Sequence, residues 1–355
     1  MHIRLSLIVL GSILLSACSG MKKTSKSGDI DSVYTAETMV IEAPREYRAS
    51  ETLFNDLLHT KLEITPEWET QHVHGKATLD FSPYFYPQED RILDAKGFTI
   101  NKVELIDGKT RKGLDYIYND STLRIKLDKE YTRKDTFRVF IDYIAKPNEL
   151  ENGGSAAISG DIGWYFIDPM DTIPDKPRQC WTQGETESSS AWFPTIDQPN
   201  EKTTQEIYLT VDSNFVTLSN GVKVYSTLNP DGTRTDYWKQ DLPHAPYLFM
   251  VAIGEWKIVK DTWRDSVEVS YYVEEEYEPY ARDIFGTTPD QIEFFSKRFM
   301  YDYPWGKYAQ VAVRDFVSGA MENTTATVHF ERVQQTPREL MDGDYQGLIA
   351  HELIH

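Results

Sequence analysis

Through residues 55–257, apolar and polar positions alternate with a period of two. Leu123-Arg124-Ile125-Lys126-Leu127, Phe137-Arg138-Val139-Phe140-Ile141 and Ile207-Tyr208-Leu209-Thr210-Val211 each predict a strand with one face toward a core. Asn229-Pro230-Asp231-Gly232, between the runs 222–227 and 235–238, predicts a hairpin connection. Residues 149–155 (ELENGGS) have the composition of an exposed loop. These runs do not repeat, so residues 51–257 are expected to form one β-rich domain.

Beyond 257 the period changes. Residues 267–271 alternate as a strand, and Thr288-Pro289-Asp290-Gln291 predicts a helix start, with Thr288 as cap and Gln291 closing a capping box. Ile292, Phe295 and Phe299 then lie on one helical face, and Pro304 limits the helix. Strand-like stretches at 310–316 and 325–330 flank Gly319-Ala320-Met321-Glu322-Asn323. A last helix beginning near Asp344 turns Leu348, Ile349 and Leu353 toward a core. Mixed strands and helices over 258–355 predict a second, α/β domain, so the fold class is multidomain, β-rich first and α/β after.

Composition adds size and charge to this picture. A chain of 355 residues with 21 Tyr, 16 Phe and 8 Trp has ample material for packed cores. With 37 Lys plus Arg against 56 Asp plus Glu, the net charge is −19, which argues against nucleic acid as a partner. Two cysteines, Cys18 and Cys180, make no disulfide framework. Nothing next to Cys180 would activate it as a nucleophile.

The first residues read as an address. Met1-His2-Ile3-Arg4 precedes an apolar run over 5–15 that is too short to span a bilayer, and Leu15-Ser16-Ala17-Cys18 resembles a bacterial lipobox. Residues 1–17 are therefore expected to be a lipoprotein signal peptide. Residues 18–50 are expected to be a lipidated Cys18 followed by a flexible tether carrying Lys22, Lys23 and Lys26. The expected location is an exported lipoprotein, anchored to a bacterial membrane at the periplasmic face or cell envelope.

The chemistry gathers at the other end. His351-Glu352-Leu353-Ile354-His355 is an H-E-x-x-H sequence. Four residues of helix bring both imidazoles to one face, where they can share a Zn²⁺ ion. Glu352, about 100° around the helix from His351, falls beside that ion and can take a proton from water bound there. The other histidines carry no such reading. His59, His72 and His74 fall in the β-rich half, His244 precedes Pro246, and His329 lies on the strand after 319–323; His72 and His74 share one strand face as surface residues.

Gly319-Ala320-Met321-Glu322-Asn323 ends 28 residues before His351, and this pair of motifs resembles the M1 family of zinc aminopeptidases. Thr182-Gln183-Gly184-Glu185, followed by Trp192-Phe193-Pro194-Thr195-Ile196-Asp197-Gln198-Pro199, is similar to a further stretch of that family. The resemblance implies an N-terminal β-saddle domain followed by the start of a thermolysin-like catalytic domain. It implies Zn²⁺ as cofactor, His351 and His355 as ligands and Glu352 as the catalytic residue. It further implies substrate binding by Gln183, Glu185, Gly319, Ala320, Met321, Glu322 and Asn323, and peptides with a free N-terminus as substrates.

Physical reasoning about the same side chains agrees. Glu322 and Glu185 are suitable acceptors for a desolvated α-ammonium, whereas a neutral internal peptide nitrogen would leave both carboxylates uncompensated. The amide oxygen of Gln183 adds a neutral acceptor, and the small Gly319 and Ala320 let substrate backbone lie against their strand. The family's third zinc ligand, a glutamate, follows the motif by about 18 residues, with a transition-state tyrosine further on. Neither position falls within these 355 residues, so the expectation for this chain is an inactive fragment cut at its active-site helix. The alternatives are a non-catalytic binding or assembly module on the M1 fold and a metalloendopeptidase, the latter disfavoured by Glu322 and Glu185.

Overall fold

Strand His72–Pro83 shows how the first part is built. Val73, Gly75, Ala77, Leu79 and Phe81 are buried on one face while His74, Lys76, Thr78 and Asp80 between them reach solvent. The computed structural model describes residues 52–355 apart from 156 and 157. The predicted signal peptide, Cys18 and the tether to residue 50 lie outside the described residues.

His72–Pro83 lies inside an eight-stranded sheet. Its order is Val222–Leu228, Thr233–His244, Thr203–Asp212, Asn55–Glu67, His72–Pro83, Phe137–Ala145, Thr99–Asp107 and Thr110–Gly113. Every pairing is antiparallel except Asn55–Glu67 with Thr203–Asp212, where His59 faces Thr204 in parallel register. The apolar face shares one core with a three-stranded sheet (Gln88–Asp94, Thr122–Tyr131, Tyr116–Tyr118) and a four-stranded sheet (Val216–Ser219, Val251–Gly254, Gln179–Thr182, Trp164–Ile167). This is the expected β-rich sandwich.

A five-stranded sheet follows, ordered Lys257–Trp263, Val267–Val273, Lys307–Val313, Ala326–Phe330 and Ala320–Met321. The three middle strands are parallel and both edge strands antiparallel. One face, with Ala309, Val311, Val313 and Val328, joins the sandwich core. The other, with Val269, Tyr271, Tyr308 and Ala312, packs on helices Ala281–Phe285, Thr288–Phe299 and Gln346–Ile354 through Ile284, Phe285, Ile292 and Ile349. Lys307–Val313 is consequently buried at every position, as a strand covered on both faces must be.

Several local expectations hold. The hairpin at 229–232 joins Val222–Leu228 to Thr233–His244, with Gly232 at φ +89° closing onto the Asn229 carbonyl. His72 and His74 meet Glu149 and Glu67 at the surface, each at 3.0 Å. Others are corrected. Thr288 sits inside helix Thr288–Phe299 rather than capping it, because its hydroxyl donates to the Phe285 carbonyl and accepts from Gln310 Nε2. The helix stops at Met300, in the left-handed region at φ 55°, where Tyr301 N–H returns to the Ser296 carbonyl; Pro304 plays no part. Phe299 is exposed and Phe295 half-buried, so only Ile292 of that trio reaches the core.

Candidate active site

Helix Gln346–Ile354 carries the H-E-x-x-H residues. Asp344 accepts the Gln346 N–H at 3.1 Å, and Gln346 Nε2 donates to the Ile284 carbonyl at 2.6 Å, which fixes the start of the helix against its neighbour. Ile349 is fully buried, while Leu348 and Leu353 are half-buried. This packing turns His351 and His355 outward and Glu352, only 7% exposed, inward.

The two imidazoles converge, with Nε2 atoms 3.1 Å apart. Two nitrogens bound tetrahedrally at ~2.0–2.1 Å to one zinc ion would stand roughly 3.3 Å apart, so this pair fits such an ion. Among the described residues, no group of three or more His, Cys, Asp or Glu side chains is arranged to hold a metal.

Two other elements bring carboxylates to the same place. Ala320–Met321 is the outermost strand of the five-stranded sheet, antiparallel to Ala326–Phe330, and Glu322 follows it directly. Gly319 has open space where a Cβ would be, with only Leu348 Cδ1 at 3.8 Å. Its free edge can therefore accept an extended peptide. Met321 is buried and its sulfur accepts from Gln183 Nε2 at 3.1 Å, so its side chain serves the core. Asn323 is buried too, its Nδ2 reaching the Leu248 carbonyl at 3.3 Å.

Gln183 and Glu185 leave the end of strand Gln179–Thr182. Gln183 is buried, its N–H donates to the Gly163 carbonyl, and its Oε1 has no partner among the described residues. Gly184 between them is required by a close approach, because a Cβ there would lie 2.3 Å from the Tyr247 carbonyl oxygen. The stretch Trp192–Pro199 braces this loop from behind. Asp197 accepts the Ser190 N–H at 2.8 Å, and Tyr143 Oη donates to the Trp192 carbonyl at 3.0 Å.

The carboxylates share one field. Burial, then the charges of Glu322 and Glu185, push the Glu352 carboxyl up to about 7. Burial and Glu322 also raise Glu185, against a lowering influence from His355. Glu322, Glu352 and His355 line a cleft of about 370 Å³ together with Tyr247, Tyr303, Trp305 and Tyr308. Burial, then the charges of Glu322 and Glu185, raise the Tyr247 phenol above its ordinary value. Sequence reading missed Tyr247, since it sits in an apolar run with no motif of its own. Cys180 is fully buried, and burial drives its thiol up, which leaves it inert.

Residues 44–248 match the peptidase M1 N-terminal domain, and residues 284–355 match the peptidase family M1 domain. Aminopeptidase 2 of Candida albicans is 26% identical over 317 residues, which is 84% of this chain and 31% of that protein. Aminopeptidase N of Lactobacillus helveticus is 24% identical over 312 residues, covering 84% of this chain and 33% of its own length. Human glutamyl aminopeptidase is 28% identical over 179 residues, 49% of this chain and 19% of its own. The chain spans about a third or less of the length of these relatives.

Proposed function

Because the chain belongs to peptidase family M1, we propose that it is part of a zinc aminopeptidase that removes the first residue of peptides. One observation carries the reading: a buried glutamate, flanked in sequence by two converging imidazoles, shares a cleft with Glu322 and lies in the field of Glu322 and Glu185. His351 and His355 would hold the metal. A bound zinc ion would supply a fixed positive charge that polarises the scissile carbonyl. Glu322 and Glu185 accept the substrate α-ammonium. The peptide backbone lies along Gly319, Ala320 and Met321 at the sheet edge. Glu352 takes a proton from the attacking water and returns it to the departing nitrogen, a task suited to a carboxyl that titrates close to neutrality.

The test compares a peptide with a free N-terminus and the same peptide N-acetylated, using the full-length, zinc-loaded protein. The free form is expected to be cleaved at its first bond and the blocked form left intact. Comparable turnover of both would exclude an exopeptidase.

We further propose that Cys18 is lipidated and anchors the protein to the cell envelope, a reading supported by Leu15-Ser16-Ala17-Cys18 and the polar residues after it. A mature lipoprotein carrying several acyl chains would stay membrane-bound. Cys18→Ser is expected to move the protein to the soluble fraction and to remove the lipid mass on Cys18. Equal membrane retention of the variant would overturn the proposal.

A further inference from the structure

The turn Pro246–Leu248 stands between the two acidic loops and is gripped from both. On the Glu185 side, Ser189 Oγ donates to the Pro246 carbonyl at 2.8 Å, and the Tyr247 carbonyl lies against Gly184 so closely that no side chain fits there. On the Glu322 side, the Leu248 carbonyl accepts from Asn323 Nδ2 at 3.3 Å and from Asn220 Nδ2 at 2.9 Å. Asn220 Nδ2 also donates to the Thr324 carbonyl at 2.7 Å, and Asn220 Oδ1 accepts the Met250 N–H at 2.8 Å. A three-residue turn thus ties together segments that are more than 130 residues apart in the chain. Its central side chain, Tyr247, is half-buried and lines the same cleft as Glu322, Glu352 and His355.

We propose that Tyr247 is a positioning residue of the amine pocket, donating its hydroxyl to Glu322 so that Glu322 and Glu185 present a fixed pair of acceptors to the substrate ammonium. The proposal rests on the aminopeptidase reading above. The charges of Glu322 and Glu185 act on each other unfavourably, and an unrestrained Glu322 would swing toward water when no substrate is bound. A hydroxyl donor on a braced turn removes that freedom before the ammonium arrives. The phenol is suited to the task. Burial, then the charges of Glu322 and Glu185, raise its pKa above the ordinary tyrosine value, so it keeps the proton it would donate. The ordering acts on ammonium binding, which is common to ground state and transition state, so its loss appears in KM rather than in kcat.

The experiment uses Tyr247→Phe in the full-length, zinc-loaded enzyme, a change that keeps the ring and removes one oxygen. KM for a free-amine peptide is expected to rise about tenfold while kcat stays within about threefold. The inhibition constant of an amino-acid amide should rise in parallel, and that of the des-amino analogue should stay within about twofold. In a Glu322→Gln background, Tyr247→Phe should weaken the amide by less than about twofold, because the pair acts as one unit. An unchanged KM, or an equal loss with the des-amino analogue, overturns the proposal and leaves the aminopeptidase reading standing. A wild-type enzyme that binds amide and des-amino analogue equally overturns both. Thermal unfolding of the variant, expected within about two degrees of wild type, separates positioning from a loss of fold.

Discussion

Replacing Glu352 with glutamine in the full-length, zinc-loaded protein is expected to lower kcat about 10²–10⁴-fold and to leave KM within a few-fold. Glutamine has the same shape, so the buried contacts of a residue 7% exposed are kept. What is lost is the ability to hold a proton. Burial and the charges of Glu322 and Glu185 push the carboxyl up to about 7, which suits the proposed transfer of a proton from water to the departing nitrogen. Steady-state kinetics with metal analysis on the same preparation provide the check. Turnover within tenfold of wild type at unchanged zinc content would remove Glu352 from the chemistry.

The strands were legible wherever one face meets water. Leu123–Leu127, Phe137–Ile141 and Ile207–Val211 all sit inside observed strands, because half-burial writes itself into the sequence as alternation. Lys307–Val313 was harder to bound, and the predicted stretch 310–316 began three residues late. That strand is buried on both faces, so alternation gives no start. It also opens on a lysine, which composition places in water. Lys307 is buried, with Nζ donating to the carbonyls of Ser219 and Thr325 at 3.0 Å each, and desolvation lowers it to about 7. Helix caps failed for a related reason. Thr288 and Gln291 have capping chemistry, but Thr288 Oγ1 is claimed by the Phe285 carbonyl and Gln310, contacts that no local pattern encodes.

The candidate site divides in the same way. His351, Glu352 and His355 are neighbours in sequence, so helical periodicity alone placed them on one turn. Glu185 and Glu322 follow strands of separate sheets, and only the motif resemblance joined them to Glu352 before the fold did. The share each motif residue takes was not readable. Met321 turns into the core, Asn323 binds the Leu248 carbonyl, and Gly184 exists to admit the Tyr247 carbonyl. Tyr247 had no signal, because a tyrosine between Pro246 and Leu248 reads as core, and its role depends on two loops that reach it from distant parts of the chain.

Glu322→Ala is expected to reduce kcat/KM for unblocked peptides about 10²–10³-fold, with zinc content unchanged. The side chain follows the edge strand and is half-buried, and the ladder from Ala320–Met321 to Ala326–Phe330 is made by backbone, so its removal leaves the strand in place. On the proposed function, what goes is one of two charges that would face a desolvated ammonium. Truncating one partner of such a buried pair costs about 2–5 kcal/mol. At 1.36 kcal/mol per decade that range brackets the expected loss. On the same proposal Glu185 would remain as the second acceptor, so the expected effect stops short of abolition. Glu322→Gln keeps an acceptor oxygen without the charge and should fall between wild type and alanine. The most telling readout is the ratio of rates on free and N-acetylated peptides. If Glu322 enforces the choice of a terminal amine, that ratio collapses in the alanine variant because cleavage of the free form falls while the blocked form gains nothing. A Glu322→Ala enzyme that kept the wild-type ratio would show that the amine is read elsewhere, and that the carboxylate beside the edge strand serves only to raise the pKa values of Glu352 and Glu185.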